Sequence, residues 1–113
     1  MQDFMVDIAV NKDKDGEFTA FICNGHAEFA RCGKDIVCSA VSLLVINTIN
    51  SLDEITHESM EVSGDEEKGL ITCKFNSRLQ DTSKVLMESM ILGLQNIEKQ
   101  YGEKYCRISI KEV

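Results

Sequence analysis

One segment of the chain, GHAEFARCGKDIVCSAVS at residues 25–42, holds a histidine and two cysteines close together. A thiol and an imidazole supply a nucleophile and a proton carrier, which is the minimum unit for acyl transfer. Asp35 is a good N-cap residue, which would make Ile36, Val37 and Cys38 the first three helical positions. The unpaired amides and positive end of a helix dipole stabilise an anion there, lowering a thiol pKa from its free value of roughly 8.5. The same amides could face the oxyanion of a carbonyl under attack. Cys38 therefore reads as a nucleophile and His26 as its base, under a loop formed by residues 27–34, with Gly25 and Gly33 as its flexible flanks. These residues also fit a purely structural reading, with Cys38 a small packed side chain and His26 a turn residue bonded to backbone. A third reading is a redox switch, in which Cys32 and Cys38 form a reversible disulfide.

Such a pair works only if rigid elements bring it together. Phe4, Val6, Ile8 and Val10 alternate with Met5, Asp7 and Ala9, the period of a strand with one buried face. NKDKDGE and then FTAFICN follow, so residues 4–24 read as a hairpin closed at Asp15-Gly16. From Asp35, Ile36, Ala40, Leu43 and Leu44 recur at helical spacing, and Val37, Val41, Val45, Ile46 and Ile49 extend the apolar surface around most of the helix. A helix that apolar must be covered on several sides, by the sheet, a second helix or a second subunit; a homodimer is expected on that ground. His57 to Ser63 alternates again, EEKG at 66–69 makes a turn, and Leu70 to Phe75 forms a strand with Ile71, Cys73 and Phe75 on one face.

Residues 82–101 carry Leu86, Met87, Met90, Ile91, Leu94, Ile97 and Tyr101 at i, i+3, i+4 spacing, with Gly102 placed for a left-handed helix end. Tyr105 to Val113 closes the chain as a strand with Cys106, Ile108 and Ile110 on one face. The expected architecture is a single α+β domain over residues 1–113, of ββαββαβ order, its largely antiparallel or mixed sheet packed with two helices. With no proline and no Gly/Ser-rich linker, the sequence offers no domain boundary.

Composition narrows the function. Of 113 residues 43% are hydrophobic and 27% charged, as in an ordinary globular protein. The net charge of -7 argues against direct nucleic-acid binding, which needs clustered Lys and Arg, and suits a basic polypeptide partner. Ile36 to Leu52 is interrupted by Ser, Asn and Thr and is expected not to span a membrane; MQDFMVD has no basic and apolar leader pattern, so the cytoplasm is expected. The five cysteines are an odd number without CxxC or zinc-finger spacing, and Cys73 and Cys106 read as small core hydrophobes. Asn11 to Gly16 mimics the start of a calcium loop, but its twelfth position is Ile22 rather than Glu. His57 reads as a surface residue and Asp65-Glu66-Glu67 as a solvated turn. No metal or cofactor is expected.

The string G-H-A followed by G-x-D-I-V-C-S-A-V-S resembles the signature of the ribosomal-processing cysteine proteases, the Prp family, and the element order resembles that family along the whole chain. The resemblance implies a bacterial endopeptidase that removes the N-terminal extension of a large-subunit ribosomal protein. It implies Cys38 as nucleophile and His26 as general acid/base, working without metal or cofactor. Gly25, Gly33, Asp35 and Ser42 also match, in supporting roles: Asp35 as helix cap or orienter, the glycines as loop hinges. Cys32 departs from the pattern. The competing expectation is a non-catalytic dimeric module that binds proteins during ribosome assembly, with Cys38 unreactive.

Overall fold

The computed structural model describes residues 6–25, 35–65 and 69–113. Strands β1 (Val6–Lys12) and β2 (Phe18–Asn24) form the expected hairpin, with Ile8 opposite Cys23 and Val10 opposite Phe21. Phe4 and Met5 lie outside the described residues. At the turn, Asp13 Oδ1 accepts hydrogen bonds from the Asp15 N–H (2.9 Å) and the Glu17 N–H (3.0 Å), while Gly16 takes a φ of 81°. The aspartate that mimics a calcium ligand thus organises a turn.

Helix α1 (Asp35–Glu54) leads through a short connection to β3 (Met60–Asp65), which pairs with β4 (Leu70–Phe75); helix α2 (Asp81–Tyr101) and β5 (Cys106–Glu112) complete the chain. The five strands form one sheet in the order β3-β4-β2-β1-β5. All neighbours are antiparallel except β1 and β5, which run parallel, so the sheet is mixed. The observed order is ββαββαβ, as the sequence predicts.

Alternation decides which face is covered. Val6, Ile8, Val10, Phe21 and Cys23 have no exposed surface, while Asp7 between them is exposed. Val37, Val41, Val45 and Leu52 of α1 and Met87, Met90, Ile91 and Leu94 of α2 belong to the same buried cluster, so both helices lie on one face of the sheet. Each fully buried aliphatic side chain contributes about 1.5–3 kcal/mol, which makes this layer the main source of stability. Contrary to expectation, Ile36–Glu54 is long and apolar enough to cross a membrane, with a mean hydropathy of 1.6. Here its buried stripe is a core stripe. Ile36, Leu43 and Ile46 remain exposed, so the sheet and α2 cover only part of its circumference.

Two expectations shift. The third strand starts at Met60 rather than His57, because His57 adopts a φ of 55° that breaks the extended chain; His57 is exposed, as expected. Gly102 ends α2 with a φ of 99° but a ψ of 154°, which is not the left-handed helical conformation, although its N–H still donates to the Glu98 carbonyl.

The turn at His57 carries Glu58 into the structure. Gln80, the N-cap of α2, makes no side-chain cap bond of its own. Instead Glu58 Oε2 accepts from the Gln80 backbone N–H (2.9 Å) and from Gln80 Nε2 (3.1 Å). A buried carboxylate thus meets the positive end of α2. Burial pushes the Glu58 carboxyl up, but hydrogen bonds from Ser83 and Gln80 outweigh it and hold the group below its ordinary value. Because the folded pKa is depressed, this stabilisation is present above the unfolded carboxylate pKa and is lost as pH falls through the folded value. Glu58→Gln is expected to cost about 1–2 kcal/mol at pH 7 and to lower the melting temperature, with the gap from the parent closing at strongly acid pH. Thermal melts of both chains across that range check it; a gap that does not depend on pH contradicts the charge argument.

Candidate active site

The site is built where β2 ends and α1 begins. Asp35 is itself the first helical residue, which moves the cap position to residue 34, outside the described residues, and makes Cys38 the fourth residue of α1 rather than the third. Cys38 still closes the first turn, within reach of the dipole's positive end. The Asp35 side chain lies outside the described residues, as do His26, Cys32 and Gly33, so the predicted pairing of His26 with Cys38 and the loop over them are not described.

Packing fixes how Cys38 is presented. Val37, Val41 and Val45 are buried and define the side of α1 that faces the sheet. Leu44 defines the side facing α2, because a Cβ on Gly93 would lie 2.6 Å from its methyl carbons and would have to push them aside. Cys38, Ser42 and Ile49 share the flank opposite Leu44, by helical spacing. Cys38 is half-buried on that flank, and its Sγ lies 4.0 Å from Ser42 Oγ one turn on. Ser42, expected in a supporting role, is thus beside the sulfur.

Cys23, Cys73 and Cys106 are more deeply buried than Cys38. Burial pushes the Cys23 thiol up to about 12, with Cys106, Cys38 and Asp7 adding to the rise; Cys38 packs against the buried cluster to which Cys23 belongs, which brings the end of β2 to the same layer as the first turn of α1. Burial alone raises Cys73 to about 12; burial, Glu98 and Asp7 raise Cys106 to about 11. These three are unbridged and neutral, and Cys73 and Cys106 are the core hydrophobes the sequence suggests.

Past Cys23, Gly25 adopts a φ of 100° and its N–H donates to the Gly69 carbonyl at 2.9 Å. The backbone explains why glycine stands there, since a side chain is strained at that φ. Gly25 is therefore tied to Gly69 where the chain leaves β2. Gly69, itself at a φ of 64°, is a site neighbour that sequence reasoning does not single out, because a glycine after EEK looks like any turn residue. Among the described residues no group of three or more His, Cys, Asp or Glu side chains is arranged to hold a metal ion.

The sequence and the fold are matched by known proteins. The profile of the family described as "Cysteine protease Prp" matches residues 5–106. The ribosomal processing cysteine protease Prp of Staphylococcus aureus is 31% identical over 98 residues, covering 87% of this chain and 91% of that protein. The Bacillus subtilis protein of the same name is 27% identical over 103 residues, covering 88% and 92%. A crystal structure of the S. aureus protease with a covalently linked product peptide superposes with a TM-score of 0.83 at 26% identity, covering 95% of this chain and 100% of that one. On the match of nearly its whole length, with the fold to go with it, the chain belongs to the cysteine protease Prp family.

Proposed function

We propose that this chain is the ribosomal-processing endopeptidase of its cell, cutting the N-terminal extension from a large-subunit ribosomal protein with a Cys38–His26 dyad. The observation that carries the reading is the presentation of Cys38: half-buried in the first turn of α1 and packed against the cluster that holds the end of β2, from which His26 follows directly after Gly25 in the sequence. In a relative at 26% identity a product peptide is covalently linked to the protease, which is what a nucleophilic mechanism leaves behind.

The reaction needs no group beyond the chain and water. The Cys38 thiolate attacks the scissile carbonyl, and amides at the start of α1 stabilise the oxyanion. His26 protonates the leaving amine as the C–N bond breaks, leaving a thioester on Cys38. It then takes a proton from water, whose hydroxide releases the carboxylate and restores the thiol. Asp35 orients this end of the helix, and Ser42 Oγ, 4.0 Å from the sulfur, is a polar side-chain neighbour one turn on. A net charge of -7 favours a basic ribosomal protein over nucleic acid.

The same reading places the enzyme in the cytoplasm, where ribosomal proteins are made, as a homodimer. The outward face of α1 supports the dimer, with Ile36 64% and Leu43 71% exposed.

Incubation with a peptide copying the extended N-terminus of the ribosomal protein should give one cut by mass spectrometry. Loss of at least about a thousandfold is expected in Cys38→Ala and His26→Ala. A folded parent that cuts nothing would favour the non-catalytic binding module. Alkylation at pH 7 should label Cys38 well before Cys23, Cys73 and Cys106, whose neutral thiols wait for unfolding; equal rates in the native protein would remove the case for an activated thiolate. In light-scattering chromatography the parent should run at twice the mass of Leu43→Glu, and a monomeric parent would end the dimer reading.

A further inference from the structure

Among the described residues, two strands of this sheet have no strand neighbour on one side, and they are treated differently. β5 is covered in part: the Ile108 N–H donates to Glu98 Oε2 of α2 at 3.3 Å, and the strand carries Arg107 and Lys111. Such features blunt an edge against pairing with another chain. β3, at the other end of the sheet, has β4 as its one strand neighbour among the described residues and runs half-buried or exposed throughout, without Lys, Arg or Pro. It carries Glu61 and Asp65 instead.

The edge also leads to the candidate nucleophile. α2 packs on both β5 and α1, so α1 lies over the β2–β4–β3 half of the sheet. Cys38, Ser42 and Ile49 are on the flank of α1 turned away from Leu44 and α2, and hence toward β3. The connection from Glu54 to Met60 is short and tied by the Glu58 N–H to the Leu52 carbonyl (2.8 Å), so β3 runs back along α1 toward its start. The 20 residues of α1 span about 30 Å and the 6 of β3 about 20 Å. A strand laid on β3 and continuing past Asp65 therefore arrives at the first turn of α1.

Register supplies the chemistry of the occupant. Val62 is opposite the buried Cys73, so it points to the helix side of the sheet, yet it is 48% exposed. Partly buried Ile49 and Met60 belong to the same layer. Glu61 points to the other face. We infer that the open edge of β3 docks an extended segment of the protein substrate as a sixth strand, apolar side chains toward Val62 and basic ones toward Glu61, and so feeds the scissile bond to Cys38. The inference rests on the proteolytic reading and gives it a substrate-binding surface. Main-chain bonding to a sheet edge supplies affinity with little sequence demand, and the alternate side chains supply selection.

Hydrogen exchange by NMR, on Cys38→Ala with and without the N-terminal peptide, should show new protection of amides in Met60–Asp65 and none in Cys106–Glu112. Val62→Arg should raise KM about tenfold with kcat within about twofold, while Ile110→Arg on the opposite edge leaves both unchanged. Circular dichroism melts establish that both variants are folded. If the parent cleaves the peptide but Val62→Arg cleaves it equally well, or if bound peptide protects β5 or neither edge, the docking surface is wrong while the protease reading stands. If the parent binds and cleaves nothing, the protease reading falls and this inference with it.

Discussion

The rotation of α1 is the constraint from which the rest follows. Val37, Val41 and Val45 share one buried cluster with Ile8, Phe21 and Cys23, and turning the helix by even a third of a turn would bring Ser39, Asn47 or Asn50 into that layer. Leu44 wedged against Gly93 pins the helix from the side. With rotation fixed, Cys38 has no choice of direction: it emerges half-buried on the flank away from α2.

The contrast among the thiols follows from the same geometry. Cys23, Cys73 and Cys106 lie on the covered face of the sheet, where burial holds the proton on sulfur. Cys38 projects from a helix start. Depth in the core thus keeps three of the thiols neutral packing residues, while Cys38 is only half-buried.

Support for the site comes from parts of the chain that never approach it. Glu58 leaves the exposed connection after α1 to cap α2, which holds α2 against α1. Glu17, in the turn of the first hairpin, pairs with Arg78 and Lys84 at 3.1 Å each and ties that hairpin to the start of α2. These contacts close the end of the sheet opposite Cys38 and leave the Gly25–Gly69 end to function.

Much was legible in the residues themselves. Period-two alternation in Val6 to Val10 and Leu70 to Phe75, helical spacing in Met87 to Leu94, and the cluster around Cys38 are local patterns, and local patterns report secondary structure and chemical potential. The start of β3 was not legible, because the alternation at His57 to Ser59 is real in sequence and is overridden by a positive φ at His57 and by the pull of the α2 N-terminus on Glu58. The part played by Gly69 was hidden for a similar reason, since its bond to Gly25 joins residues far apart in the chain.

By itself, then, the sequence determined the element order, the buried faces and the identity of the one candidate nucleophile. Tertiary structure decided that β1 and β5 run parallel, that α1 keeps an exposed apolar side, and that Cys38 ends up half-buried on the flank of α1 away from Leu44. Those depend on contacts between distant segments, whose energies no local pattern records.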